Sequence, residues 1–265
     1  MFFLLFCNIY FFLYLCILKI RYRFLKLHRK TGMNFLDSKD NKDNFSGFRK
    51  ISTLFISDDE FRKIEKSSVF LRFKKGETIL KQGHAPTHIA YLQSGIVKFN
   101  YLSSENGKNT ILTLVSAPKI LGGANLFYKD NNLFSIVAVE DCEVFLIEAS
   151  ALYELLKDNG NYAVALFQMA SEMFKKSILN FISVANKQKE ARIADVFIYL
   201  SEEIYFNTSF KLSLTRKEIA EFACCSVENI IMTLSKWQQE GIVSFSSKNF
   251  EITDIDKLKY ISKVG

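Results

Sequence analysis

The spacing of apolar residues changes along this chain of 265 residues. Between residues 69 and 148, short runs rich in β-branched and aromatic residues alternate with glycines: VFLRF, IAYLQSG, IVKFNYL, TILTLV, FSIVAVE and EVFLIE. Such runs indicate a small antiparallel barrel or sandwich. A short amphipathic helix is predicted before them, over residues 56–67. From residue 149 to about residue 206, apolar residues recur at helical steps. The pattern therefore predicts an α+β fold.

One apolar seam in the helical part is long and continuous. It consists of Phe167, Ala170, Phe174, Ile178, Phe181 and Ala185. Steps of three and four residues over roughly three heptads place the whole seam on one helix. Such a seam must be covered, either by a second copy of the chain or by the β-rich domain. A second copy is the economical choice, but these residues leave both arrangements open.

Residues 214–234, LTRKEIAEFACCSVENIIMTL, predict two short helices joined by a tight turn. Thr215 and Glu218 have the spacing of a capping box, and Ser226 is a second N-cap. The side chains expected to be buried are Ile219, Ala220, Phe222, Ala223, Ile230, Ile231 and Leu234. The pair suits either a DNA-binding helix-turn-helix or an ordinary helical hairpin.

The elements on either side of this helix pair extend the prediction. A helix over residues 188–203 leads into it. After it, GIVSFSSKNFEIT predicts a two-stranded hairpin that turns at residues 247–249, which would form a wing.

The first eighteen residues carry no charge, are almost wholly apolar and precede a basic run. Their length and flank suit a short transmembrane helix with its C-terminal side in the cytoplasm. A signal peptide fits less well, because no basic region precedes the run and no cleavage site follows it. Alternatively, translation starts at Met33 and residues 1–32 are not native protein. The polar residues 33–50 are expected to be disordered.

The net charge of +7 comes mostly from the leader. Six of the 35 basic residues precede the first acidic residue, which leaves 29 basic residues against 28 acidic ones. A DNA-binding function must therefore rest on local placement of charge. The five cysteines include no C-x-x-C pair and no Cys/His cluster at zinc spacing. This excludes a zinc finger and a disulfide framework, and it suits a reducing cytosol.

Three stretches together resemble the cyclic-AMP receptor and fumarate–nitrate regulator (Crp/Fnr) superfamily of bacterial transcription factors. KKGETILKQGHAPTHIAYLQSGIVKF is similar to its β-roll, KQKEARIADVFIYL to its joining segment and LTRKEIAEFACCSVENI to its helix-turn-helix. The resemblance implies a β-roll sensor domain over residues 51–158, a dimerisation helix over 159–187 and a winged helix-turn-helix over 188–265.

The resemblance also locates a degenerate effector pocket. In cyclic-nucleotide-binding members a glutamate takes the ribose and an arginine-serine pair holds the phosphate. Here Gly123 stands for the glutamate and Phe134 for the arginine, while Gly122, Ala124 and Ser135 remain. A phosphate diester needs a cationic partner, so neither cyclic AMP nor cyclic GMP is expected as ligand. No cofactor or metal is expected, since the closely spaced cysteines of the iron–sulfur oxygen sensors are missing. An unidentified small-molecule effector stays open.

On the DNA side, the resemblance assigns two groups of residues. The positions facing bases or adjacent phosphates are Ser226, Val227, Glu228, Asn229 and Met232; the phosphate contacts are Thr215, Arg216, Lys217 and Lys236. Glu228 matches a glutamate that accepts from cytosine, and Met232 stands where a guanine-reading arginine is usual. Cys224 replaces the usual turn glycine and is expected to hold a left-handed conformation.

The resulting hypothesis is a cytoplasmic homodimer that regulates transcription at a pseudo-palindromic site in double-stranded DNA. RNA polymerase is the expected further partner. The alternative is a membrane-tethered sensory protein that uses the β-roll to bind a ligand or protein, which requires residues 1–32 to be native. An enzyme is disfavoured, because the chain lacks G-x-S-x-G, P-loop and H-E-x-x-H motifs and has no expected catalytic residue.

Overall fold

The computed structural model describes residues 56–123 and 131–265. The predicted leader at residues 1–32, the predicted disorder at residues 33–50 and the pocket residue Ala124 lie outside this part of the chain. Within it, no helix combines the length and the apolar character needed to cross a bilayer.

A short helix, α1 (Asp58–Lys66), precedes the strands as predicted. Ser57 caps it: the hydroxyl accepts from the backbone N–H of Glu60, whose carboxylate accepts in turn from the Ser57 backbone N–H. This reciprocal pair satisfies donors that the first helical turn leaves free. Phe61 and Ile64 on the opposite face are buried against the strands and helices that follow.

Eight antiparallel strands form a roll of two four-stranded sheets. They are β1 (Ser68–Phe73), β2 (Thr78–Leu80), β3 (His88–Ser94), β4 (Ile96–Leu102), β5 (Asn109–Ser116), β6 (Lys119–Leu121), β7 (Ser135–Ala138) and β8 (Cys142–Glu148). One sheet has the order β1-β8-β3-β6 and the other β2-β7-β4-β5. The sequence pattern missed β2 and β6, because three residues are too few to show alternation.

The second sheet is covered on both faces. Successive side chains of a strand point to opposite faces, so Val97 and Phe99 pack between the two sheets while Lys98 points the other way. Ile111 and Leu114 of β5 join the apolar core of the C-terminal region. The roll and the C-terminal region therefore share one continuous packed interface.

The turn between β3 and β4 requires glycine at residue 95. Gly95 has a φ of 98°, in the left-handed region that residues with a Cβ avoid. A Cβ there would lie 2.6 Å from Sγ of Cys142 and 2.7 Å from the carbonyl oxygen of Asp141. Cys142 itself is buried in β8.

Helices take over after β8. They are α2 (Ala149–Asp158), α3 (Gly160–Asn186) and α4 (Lys189–Tyr199), and a π-helical turn (Leu200–Ile204) completes the series. The side-chain oxygen of Asn159 accepts from the backbone N–H of Tyr162, 3.0 Å away, and so starts the long helix α3.

A polar cluster centred on Asp195 joins α3 to the C-terminal region. The ammonium of Lys187, just after α3, lies 2.8 Å from both carboxylate oxygens of Asp195 in α4. Ser183 of α3 and Ser262 donate their hydroxyls to the same carboxylate. Because four groups meet at one half-buried site, the direction of α4 relative to α3 is tightly defined.

The C-terminal region is a winged helix-turn-helix. Its elements are β9 (Ser209–Lys211), α5 (Arg216–Ala223), α6 (Val227–Gln239), β10 (Val243–Ser246), β11 (Asn249–Ile252) and α7 (Ile255–Val264). The predicted two-stranded wing is wrong in one respect, because β9 pairs with β11 to make a sheet of three strands. The wing turn consists of Ser247 and Lys248, while Asn249 already belongs to β11.

Candidate nucleic-acid interface

The first helix of the motif begins at the predicted capping box. The hydroxyl of Thr215 accepts from the backbone N–H of Glu218 at 3.2 Å, and the carboxylate of Glu218 accepts from the backbone N–H of Thr215 at 2.7 Å. The apolar face of α5 is buried as expected; it consists of Ile219, Ala220, Phe222 and Ala223.

The turn between α5 and α6 has the predicted left-handed residue. Cys224 has φ 50° and ψ 49°, and its backbone N–H reaches the carbonyl of Ala220. The backbone N–H of Cys225 reaches the same carbonyl at 3.0 Å. Ser226 then caps α6, its hydroxyl accepting from the backbone N–H of Asn229 at 3.3 Å. The turn therefore keeps the usual geometry with cysteine in place of glycine.

The second helix, α6, has one buried and one exposed face. Ile230, Leu234 and Trp237 are buried. At 100° per residue, the opposite face of the helix is formed by Glu228, Met232, Ser235 and Gln239, all of which are exposed. The predicted burial of Ile231 is wrong: its side chain lies about a quarter turn from the buried ridge and is 52% exposed. Trp237, not Ile231, completes the core.

The predicted base-contacting residues are not equally accessible. Ser226, Glu228 and Met232 are exposed, and Asn229 is half-buried. Val227 is half-buried as well and packs against the core of the C-terminal region. Hydrogen bonds from the helix start lower the pKa of Glu228, which keeps its carboxylate ionised and able to accept from a base.

The four predicted phosphate-contacting residues differ in their surroundings. Thr215 and Lys217 are exposed at the start of α5. The guanidinium of Arg216 lies 5.1 Å from the ring centre of Phe245 in the wing, and burial lowers its pKa. Lys236 already has an intramolecular partner, because its ammonium lies 2.9 and 3.1 Å from the two carboxylate oxygens of Glu190.

An ion pair that the sequence did not predict joins the motif to the β-roll. The ammonium of Lys98 in β4 lies 2.8 Å from Glu218, and both side chains are largely buried. Burial raises the pKa of Glu218, but hydrogen bonds from Lys98 and Thr215 outweigh burial, so the pKa lies below its ordinary value. The one signal in the sequence is a lysine inside the apolar run IVKF.

Further hydrogen bonds cross the same interface. The side-chain amide of Asn109 donates to Glu221 at 2.8 Å, and the hydroxyl of Tyr199 donates to the carbonyl of Leu114 at 2.7 Å. The hydroxyl of Ser213 donates to the carboxylate of Glu140 at 3.0 Å. Together with the apolar contacts of Ile111 and Leu114, these bonds hold the C-terminal region against the outer face of β4 and β5 in this conformation.

Of the predicted pocket residues, Phe134 and Ser135 lie at the start of β7, and Phe134 packs among apolar side chains. The ring centres of Phe134 and Phe99 are 5.0 Å apart, and both belong to a cluster that also includes Met173 of α3. The hydroxyl of Ser135 accepts from the backbone N–H of Gln82 at 3.0 Å. Gly122 and Gly123 precede the stretch that the structure does not describe.

The predicted seam of α3 is exposed along its length. Phe167, Phe174 and Phe181 are spaced seven residues apart and are 73%, 68% and 68% exposed. Ala170, Ile178 and Ala185 between them are exposed as well. The alternative in which the β-rich domain covers the seam does not describe this chain, because the roll leaves all six positions open.

Comparisons with known proteins agree with this architecture. A model of the cyclic nucleotide-binding domain matches residues 70–159, and a model of the Crp-like helix-turn-helix domain matches residues 191–261. The transcriptional activator protein Anr of Pseudomonas protegens is 24% identical over 185 residues, which are 68% of this chain and 75% of Anr.

Two solved structures share the fold. FixK2 from Bradyrhizobium japonicum superposes with a TM-score of 0.68 at 16% identity, over 75% of this chain and 98% of FixK2. A transcriptional regulator of the Crp/Fnr family from Eubacterium rectale superposes with a TM-score of 0.66 at 19% identity, over 84% of this chain and all of that one. With the two domain matches in the same order as the roll and the winged motif, the chain belongs to the Crp/Fnr family of DNA-binding transcriptional regulators, which are not enzymes.

Proposed function

We propose that this regulator acts as a homodimer on an inverted-repeat site in double-stranded DNA and that it needs no cyclic nucleotide to do so. The observation that carries the proposal is the exposed seam of α3, with phenylalanines at residues 167, 174 and 181. A chain with an exposed seam and an exposed recognition helix has the two surfaces that a symmetric DNA-binding dimer requires.

The geometry of α3 favours a two-fold pairing of two chains. The helix has 27 residues, and the three phenylalanines of its seam repeat every seven. A seven-residue repeat keeps the seam of one helix facing the same seam of a partner helix. The side chains of each seam then pack between the side chains of the other. In such a symmetric contact, Phe174 of one chain packs close to Phe174 of the partner chain. The contact removes the exposed phenylalanine rings from water.

The recognition helix supplies the sequence-reading part of the proposal. Glu228, Asn229 and Met232 would face the bases, with Ser226 and Val227 at the start of the helix. Thr215, Arg216 and Lys217 would contact phosphates, and Lys236 would do so on leaving Glu190. A carboxylate such as Glu228 accepts from the amino group of cytosine. Phosphate contacts set the register, while the exposed ridge of α6 reads the sequence.

Independence from cyclic nucleotides rests on the apolar surroundings of Phe134. A cyclic phosphate carries a full negative charge and needs a cationic partner when water is excluded. Phe134 instead packs in an apolar cluster that includes Phe99 and Met173. The predicted pocket would then bind an apolar effector or no effector at all. Its residues are Gly122, Gly123, Ala124, Phe134 and Ser135.

The proposal assigns a function to each region of the chain. Residues 51–158 form the sensor, residues 159–187 the dimer contact and residues 188–265 the DNA-binding domain, and the protein works in the cytoplasm. Anr, which matches most of this chain, is named as a transcriptional activator, so RNA polymerase is the further partner that we propose.

The test is a selection of random duplex DNA on the purified full-length chain, with and without cyclic AMP. We expect an inverted repeat to be enriched equally in both arms, and its affinity to fall steeply as salt rises, because phosphate contacts release counterions. Enrichment that requires cyclic AMP would refute the independence from nucleotide. Enrichment of a single, unrepeated half-site would refute the homodimer. If no sequence is enriched, the chain does not bind DNA sequence-specifically in the absence of an effector.

A further inference from the structure

The exposed face of the recognition helix has an apolar side chain at its centre. Met232 is 70% exposed and lies one helical turn after Glu228, on the side of α6 opposite the buried Ile230, Leu234 and Trp237. A methionine side chain that stays in contact with water does not stabilise the folded chain, because its apolar surface is not buried. Its position on the surface that would face the major groove suggests a role in binding.

Two cations of the motif are already engaged by other side chains. Lys236 is paired with Glu190, and the guanidinium of Arg216 stacks on Phe245. The ridge itself consists of Glu228, Met232 and the neutral polar side chains of Ser235 and Gln239. Selection of guanine in the major groove relies mainly on arginine or lysine donating to its two acceptors, which Met232 cannot do.

One group in the major groove is complementary to an apolar side chain. Each thymine presents a C5-methyl group there, whereas the other bases present hydrogen-bonding atoms at their edges. Methionine suits such a contact, because its unbranched and polarisable side chain adapts to the position of the methyl group. Burying the two together removes apolar surface from water on both sides.

We infer that Met232 is a specificity-determining residue that reads the methyl group of a thymine, so that each half-site contains an A·T pair at this position. This inference rests on the proposed function, since it assumes that α6 enters the major groove. The preferred half-site therefore has a thymine at the position where an arginine at residue 232 would select guanine.

The experiment compares thymine with 2′-deoxyuridine, which differs only in lacking the methyl group. A duplex carrying the inverted repeat selected by the full-length chain is synthesised with one thymine of each half-site replaced at a time. Binding is measured for the wild type, for Met232→Ala and for Ile231→Ala. The last is the matched control, because Ile231 is the neighbouring exposed apolar residue but lies off the central ridge.

We expect one thymine position at which loss of the methyl group weakens the wild type about fourfold per half-site, the value of one buried methyl-sized group. Met232→Ala should bind the thymine and deoxyuridine duplexes equally, and Ile231→Ala should still distinguish them. In a fresh selection, Met232→Arg should replace the thymine at this position with guanine.

The opposite results overturn the inference. If no thymine shows a methyl effect in the wild type, or if Met232→Ala keeps the effect, Met232 does not read a methyl group, although the sequence-specific binding of the proposed function still stands. If Ile231→Ala alone removes the effect, the reader is Ile231. If the selection enriches no sequence at all, the proposed function fails, and this inference fails with it.

Discussion

The ammonium nitrogen of Lys98 lies 2.8 Å from a carboxylate oxygen of Glu218, and this ion pair links the β-roll to the first helix of the helix-turn-helix. Glu218 also completes the capping box of that helix through the backbone N–H of Thr215. One carboxylate therefore serves both the start of α5 and its attachment to β4. Any signal that separates the two domains must break this contact.

Removal of the lysine should destabilise the chain strongly. Lys98→Met leaves the Glu218 carboxylate buried without its cation, and we expect the free energy of unfolding to fall by about 3 kcal/mol. The double variant Lys98→Met with Glu218→Gln should recover most of the loss, because no buried charge remains and glutamine still closes the capping box. Urea unfolding of both variants measures this. Lys108→Met, at an exposed lysine, is the control; a loss there as large as that for Lys98→Met would contradict the argument.

The contribution of Glu218 to the free energy of unfolding should depend on pH. Its pKa in the folded chain lies below the ordinary value of 4.5. A carboxyl group with a lowered folded-state pKa stabilises the fold above its ordinary pKa, and this stabilisation is lost as pH falls through the folded value. The excess stability of the wild type over Glu218→Gln should therefore be greatest above pH 4.5 and shrink below it.

Urea unfolding at steps from about pH 6 to about pH 3 measures that difference. Glu105→Gln, at an exposed glutamate in the turn between β4 and β5, should change stability little throughout. An advantage of the wild type over Glu218→Gln that grows as pH falls would show that the sign is wrong.

The turn of the motif should tolerate glycine better than cysteine. Cys224 has a φ of 50°, a conformation that costs a residue with a Cβ roughly 1 kcal/mol. Cys224→Gly should therefore raise the free energy of unfolding by up to about 1 kcal/mol, less the entropy that glycine adds to the unfolded chain. Cys225→Gly, one residue later and without a positive φ, should instead lower it. Thermal unfolding distinguishes the two; equal destabilisation by both would argue against strain at Cys224.

A charge in the seam of α3 should separate the proposed dimer. Phe174→Glu places a carboxylate at the middle of the three exposed phenylalanines, where the two helices would meet. We expect the dissociation constant to rise about 100-fold, as for loss of a central aromatic contact. Sedimentation velocity measures the shift. Tyr260→Glu, at a similarly exposed aromatic residue of α7, is the control and should leave the dimer intact; a monomeric wild type would refute the arrangement.

Two lysines of the DNA-facing region should contribute differently to salt dependence. Lys217 is exposed, whereas Lys236 is paired with Glu190. Lys217→Ala should weaken binding to all duplexes about equally and reduce the slope of log affinity against log salt by about two, because the proposed dimer carries two copies of Lys217. Lys236→Ala should reduce it by less, because this lysine must first leave its carboxylate. Titrations of the selected duplex at several salt concentrations test this, and a larger effect at Lys236 would reverse the assignment.

The elements that the sequence predicted correctly depend on neighbours in the chain. The capping box of Thr215 and Glu218 needs only a spacing of three residues, and the helical periodicity after residue 149 needs only steps of three and four. The left-handed conformation of Cys224 was predicted from the resemblance, because Cys224 stands where such motifs usually have a glycine. Caps and periodicity connect residues that are close together in the sequence, so they are enough to predict the fold class and a pair of helices joined by a tight turn.

The sequence by itself therefore determined the succession of strands, long helix and winged motif, the caps of α5 and the apolar seam of α3. Only the tertiary structure decided that Lys98 meets Glu218, 120 residues away, that Lys236 pairs with Glu190, that β9 joins the wing and that Ile231 faces solvent beside Met232. These four features depend on which surfaces come together, since the partner of a buried charge or of an edge strand is selected by packing across the whole fold. Periodicity shows that a helix has an apolar face, but the neighbouring elements determine which of two adjacent isoleucines is covered.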